Sequence, residues 1–143
     1  MTLEKAIEIA TAAHKGQKDK VGAPYITHVI RVMSMGKTED ERICGVLHDV
    51  VEDTDWTFER LEAEGFTPAV LDALRCVTKL SEQEDYDQFI ARILPNRLAC
   101  MVKINDLTDN MDIRRMPEVS EKDRVRLNKY LNAYRQLSDA LQQ

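Results

Sequence analysis

Apolar residues in this chain recur at intervals of three and four, not two. Leu3, Ala6, Ile7, Ala10 and Ala13 form one stripe, and Leu127, Tyr130, Leu131, Tyr134, Leu137 and Leu141 form another near the opposite end. Such spacing gives a helix one apolar face. Between the two stripes the pattern predicts helices at about 25–36, 40–51, 57–64, 68–78, 84–94 and 95–112. The end signals point the same way. Thr2, Thr57 and Ser120 are placed to cap helix N-termini, and Ser81 to Glu84 reads as a capping box. Pro68 and Pro95 suit first turns, and Gly65 suits a helix C-terminus. The main interruption is Lys15-Gly16-Gln17-Lys18-Asp19-Lys20-Val21-Gly22-Ala23-Pro24, whose glycines, proline and charges predict a loop after the first helix. Val, Ile and Thr nowhere alternate with polar residues for long, so no strand is expected. The pattern predicts an all-α fold, a single-domain helical bundle over residues 1–143.

Composition narrows the classes. The chain has 143 residues, 43% hydrophobic and 31% charged, the balance of a soluble domain that buries its own core. A net charge of −5 argues against a nucleic-acid coat or a polybasic membrane anchor. No apolar run approaches the roughly 18 residues of a membrane span. Met1-Thr2-Leu3-Glu4-Lys5 lacks the apolar stretch of a signal peptide. Cys44, Cys76 and Cys100 are odd in number and far apart, which predicts reduced thiols and a cytoplasmic protein. A small acidic helical domain of this kind is a candidate homodimer, although no exposed apolar stripe marks an interface.

The chemistry lies in a few polar residues set among apolar ones. His48 and Asp49 are adjacent, and Glu52 and Asp53 follow three and four positions after Asp49. On one continuous helix these carboxylates share a face. They follow the apolar run Ile43 to Leu47, so they are expected near the C-terminal end of a buried helix, where they repel one another and the helix dipole unless a cation neutralises them. His28 lies far upstream. Asp106 lies in an apolar helix between Leu98 and Met111, where packing alone gives it no reason to face inward. Two histidines and two aspartates form a mixed nitrogen and oxygen set that suits Mn, Fe, Co or Zn. The bland reading of each residue stays open, because a lone buried histidine is more often structural. Lys15, Lys18 and Lys20 form a basic loop in an acidic chain and can focus a field on phosphates, with Lys103 a further candidate; solvated lysines are the alternative. His14 and Gln17 suit either phosphate contact or loop ordering, and Tyr25 and Met111 suit either a base pocket or core.

Four blocks in this order resemble the hydrolase domain of the RelA/SpoT family, within the HD superfamily of metal-dependent phosphohydrolases. They are Ala13 to Gln17 with Gly22 to His28, Gly45 to Thr54, Val77 to Leu80, and Val102 to Asp106 continuing to Met111. The resemblance implies an HD-domain-like helical fold with a divalent metal, usually manganese, on His28, His48, Asp49 and Asp106. It implies that Glu52 and Asp53 orient or activate the attacking water and that Asn110 contacts a nucleotide. Lys20 occupies a position that favours substrate contact. The reaction implied is removal of pyrophosphate from the 3′ position of guanosine tetra- or pentaphosphate, by a domain with no synthetase or regulatory segment. A nucleotide-sensing domain without turnover is the alternative. The chain departs from the family pattern in the nucleotide pocket. Asp19 stands where an arginine is usual, Asp109 where a histidine is usual, and Ile113 where a threonine is usual.

Overall fold

The computed structural model describes residues 2–143. Its helices are α1 (Leu3–Ala13), α2 (Ile26–Met35), α3 (Glu39–Leu47), α4 (Val50–Asp53), α5 (Phe58–Ala63), α6 (Pro68–Val77), α7 (Tyr86–Ile93), α8 (Arg97–Asn110) and α9 (Glu121–Leu141), with a 3-10 turn at Ile113–Arg115. Among the described residues there is no strand, only an isolated bridge between Lys18 and Pro24 in the basic loop. The all-α bundle is the fold expected from the periodicity.

Local chemistry accounts for most of the ends. Thr2, Thr57 and Ser120 accept backbone N–H groups at the starts of α1, α5 and α9, and Ser120 forms a full capping box with Asp123. Pro68 opens α6. Gly65 follows α5 with φ 95°, a left-handed conformation that favours glycine. Two expectations fail. Ser81 closes a turn instead of starting a helix, and Asp85 caps α7. Pro95 precedes Asn96, and it is Asn96 that caps α8.

The core is centred on α3, which packs against α1, α2, α6 and α8. Every residue from Ile43 to Leu47 is buried, so this helix has no solvent face after its first turn. Leu47, Leu61, Leu74, Phe89, Ile90, Ile93, Leu107 and Leu137 are its largest fully enclosed side chains. Gly45 lets α2 and α3 touch backbone to backbone. A Cβ there would meet the Cα and N of Met33 at 3.1 Å. That close approach brings the helix carrying His28 against the helix ending at His48. The long α9 packs on α8 through Ala133 and Leu137, while Leu131, expected in its apolar stripe, is exposed.

The single helix expected over 40–51 is two. α3 stops at Leu47, and Asp49 takes φ −106° and ψ 0° before α4 begins. The break redirects the chain after the His-Asp pair, so Asp49, Glu52 and Asp53 do not continue the face of α3. No described helix is long and apolar enough to cross a membrane.

Candidate active site

Three helices converge to gather the four predicted ligands. α2 supplies His28, the end of α3 supplies His48, the break supplies Asp49, and α8 supplies Asp106. Their ligand atoms all lie within 4.8 Å of one another. Asp106 Oδ1 is 3.0 Å from His28 Nε2 and 3.1 Å from His48 Nε2. Asp49 Oδ2 is 3.0 Å from His48 Nε2 and 3.7 Å from His28 Nε2. None of the four side chains is more than 17% exposed.

The outer partners fix which way the rings face. His48 Nδ1 lies 2.6 Å from the carbonyl of Gly45, which can only accept, so Nδ1 carries the hydrogen. His28 Nδ1 lies 2.7 Å from the Asp109 carboxylate and donates likewise. Both Nε2 lone pairs therefore turn inward, toward carboxylate oxygens that also bring lone pairs. Four inward-facing electron pairs fit a divalent cation. Burial disfavours a charged ring, yet the His48 pKa is raised by the charges of Asp49 and Asp106, and that of His28 by hydrogen bonds to Asp106 and Asp109. A metal ion and protons therefore compete for the same nitrogens.

The carboxylates are held as firmly as the rings. Lys103 donates to Asp106 Oδ2 at 3.0 Å and sits 5.1 Å from the Phe89 ring centre. Burial works against its charge, but Asp106 outweighs that and raises the ammonium pKa. Lys103, expected among the phosphate contacts, is thus paired with Asp106, one of the four predicted ligands. Asn110 donates to Asp106 Oδ1 at 3.1 Å while its exposed side lines a cleft. Tyr25 donates to Asp49 Oδ2.

Glu52 and Asp53 part company. Glu52 accepts the backbone N–H of Lys79 at 3.0 Å, which ties it to the end of α6. Asp53 is exposed as a residue, but its carboxyl is desolvated by the surrounding protein and lies in the fields of Asp49 and Glu52. Together these push its pKa up to about 6. Its backbone carbonyl accepts from Gln17, whose own side-chain oxygen accepts from His14 Nδ1 at 2.8 Å. His14 and Gln17 therefore order the loop around Asp53.

A cleft of about 580 Å³ opens beside His28. Lys18, Lys20, Asn110, Arg126, Tyr25 and Tyr130 are among its walls, whereas Lys15 is exposed and stands outside it. Asp19 bends the loop by accepting the N–H groups of Val21 and Ala23. Arg31, Arg115 and Arg126 have no counterpart in the sequence reading. A signal for Arg31 existed, one helical turn after His28. Arg115 and Arg126 carried none, because they reach the cleft only through the packing of segments beyond α8. A second cleft of about 770 Å³ is lined by Glu52, Asp53, Arg75, Lys79 and Arg92 among others.

No protein-family model matches the chain. It is 32% identical over 120 residues to the guanosine-3′,5′-bis(diphosphate) 3′-pyrophosphohydrolase of Aquifex aeolicus, covering 76% of this chain and 17% of that protein. It is 29% identical over 123 residues to the bifunctional (p)ppGpp synthase/hydrolase SpoT of Escherichia coli, covering 76% of this chain and 17% of that one. The solved structure of a metazoan ortholog of SpoT that hydrolyzes ppGpp and plays a role in starvation responses superposes with a TM-score of 0.76 at 28% identity, covering 98% of this chain and 91% of the other. By sequence and by fold the chain is a homologue of RelA/SpoT-family proteins, and its all-α bundle matches that of the SpoT ortholog. More narrowly, it resembles the guanosine-3′,5′-bis(diphosphate) 3′-pyrophosphohydrolases. It spans less than a fifth of the length of the two curated relatives named.

Proposed function

We propose that this chain is a cytoplasmic, manganese-dependent phosphohydrolase that removes pyrophosphate from the 3′ position of a guanosine 3′,5′-bis(diphosphate) or a closely related nucleotide. The observation that carries this reading is the convergence of two imidazole Nε2 atoms and two carboxylate oxygens within 4.8 Å, next to a cleft that Lys18 and Lys20 enter. His28, His48, Asp49 and Asp106 would hold a divalent ion, which would supply activation of a water and polarisation of a phosphoryl oxygen. Asp53, with its raised pKa, accepts the proton of the attacking water. The bond from phosphorus to the ribose 3′ oxygen breaks, and that oxygen takes up a proton as pyrophosphate departs. Lys20 and Asn110 border the cleft where the nucleoside end lies, and Lys18 and Lys20 draw the anion in. Glu52 holds the α6 end in place through Lys79.

Chromatography of guanosine tetraphosphate incubated with manganese-loaded protein tests this. GDP and pyrophosphate are the expected products, and His48→Ala abolishes them. No product from any 3′-phosphorylated nucleotide would reject hydrolysis. One observation favours the alternative, a nucleotide sensor without turnover: Asp19, standing where the family has an arginine, uses its Oδ1 on the loop's own backbone. That reading expects calorimetric binding of nucleotide with no product over hours.

A further inference from the structure

Asp109 is one of the most deeply buried charged residues described, at 2% exposure, yet it is not among the residues that could hold the ion. Its surroundings are specific. Oδ2 accepts from His28 Nδ1 at 2.7 Å. Arg31 grips the carboxylate with both arms of its fork, Nε to Oδ1 at 2.7 Å and Nη2 to Oδ2 at 3.1 Å. Arg115 donates to the Asp109 backbone carbonyl at 2.8 Å and approaches the carboxylate at 3.4 Å.

Helix geometry explains the arrangement. His28 and Arg31 are one turn apart on α2, and Asp106 and Asp109 are one turn apart on α8. Where the two helices pack, the His28 ring spans the aspartate pair, with Nε2 toward Asp106 and Nδ1 toward Asp109. A bidentate guanidinium fixes the plane of a carboxylate. The carboxylate in turn fixes the plane and tautomer of the imidazole that donates to it.

We propose that Asp109, clamped by Arg31 and Arg115, is a positioning residue that aims His28 Nε2 and thereby sets the affinity of the site for its divalent cation. This rests on the metal reading above. Its own content is that a residue outside the ligand set controls occupancy. The competing idea is a simple staple between α2 and α8.

Calorimetric titration of Mn²⁺ into the apoprotein separates the two ideas, with melting temperatures recorded for every variant. Asp109→Leu is expected to weaken Mn²⁺ binding by about 10- to 100-fold, the usual cost of losing an outer hydrogen-bond partner. Asp109→Asn, which keeps an acceptor but not the charge, and Arg31→Met are expected to weaken it less. In a His28→Ala background, where there is no ring to aim, Asp109→Asn is expected to cost no further affinity. A staple predicts the same loss in both backgrounds, and that result would overturn the proposal. So would wild-type affinity in a folded Asp109→Leu protein. Should Asp109→Leu not fold, the near-isosteric Asp109→Asn in the two backgrounds decides the matter. Absence of Mn²⁺ binding by the wild type overturns the metal reading together with this proposal, whereas binding that is indifferent to Asp109 overturns this proposal alone.

Discussion

On the side of the proposed metal site, His28, His48 and Asp106 project from packed helices and Asp49 from the break between α3 and α4, and each is held by at least one further partner. On the cleft side, Lys18 and Lys20 stand on an exposed loop, while Arg31, Arg115 and Arg126 are already engaged with Asp109, Asp112 and Asp123. The first region is determined by the core and cannot change without disturbing it. The second is set by a short loop and, at Arg126, by a partly exposed ion pair worth little, whereas Arg31 and Arg115 are bound to the buried Asp109. Changes on the metal side should therefore abolish turnover and alter stability, whereas changes on the cleft side should tune affinity.

The largest expected effect follows from Asp106→Ala. It removes a ligand and strands the Lys103 ammonium, so turnover should fall to background. Leaving one partner of a buried pair uncompensated costs about 3–5 kcal/mol, which denaturant unfolding can read. A fully stable Asp106→Ala protein would show that Lys103 finds water easily and that the metal side is less rigid than described.

Asp53→Asn should lower kcat by about 10²- to 10⁴-fold, the usual contribution of a general base. The pH profile sharpens this. Asp53 must be ionised to accept a proton, so the wild-type rate should climb through pH about 6 and then level, with bound cation moving that limb to lower pH. The stability effect has the opposite sense. The folded state disfavours the ionised form, so metal-free protein loses stability as pH rises from the ordinary carboxylate range through about 6. At pH 7.5 metal-free Asp53→Asn should melt a few degrees above wild type.

Gly45→Ala comes next. Its methyl group must part α2 from α3, at a cost of about 1–3 kcal/mol. Because His28 and His48 ride on those helices, Mn²⁺ affinity should fall with the melting temperature. On the cleft side, Lys20→Ala should raise KM about two- to fivefold with kcat unchanged, an effect that fades at high salt. Lys15→Ala should leave both constants within error, and a clear effect there would extend the substrate path beyond the cleft.

The fold is legible because helices such as α1, α6 and α7 carry an apolar face with a period near 3.6, and the four predicted ligands are legible because His28, His48, Asp49 and Asp106 sit where apolar packing alone would not place them. What stayed hidden depended on contacts between elements distant in sequence. The Asp109 clamp requires α2 to meet α8 in one register. Lys103 is the exception, because it stands one turn before Asp106 on α8, a spacing the sequence itself displays. The α3–α4 break has no glycine or proline to announce it, and without it Glu52 could not be separated from Asp53. Lys15 and Lys20 are alike in composition, and only the course of the loop puts one in the cleft and the other outside.

Lys103 has one more consequence. A cation built permanently into the wall beside Asp106 means that the acidic centre is never without a positive neighbour. Folding then need not wait for the ion, and the ion can come and go as an exchangeable guest, unlike the zinc of a finger domain, whose loss is loss of the fold. Chelator should therefore lower the melting temperature yet leave the far-ultraviolet helical signal intact at room temperature.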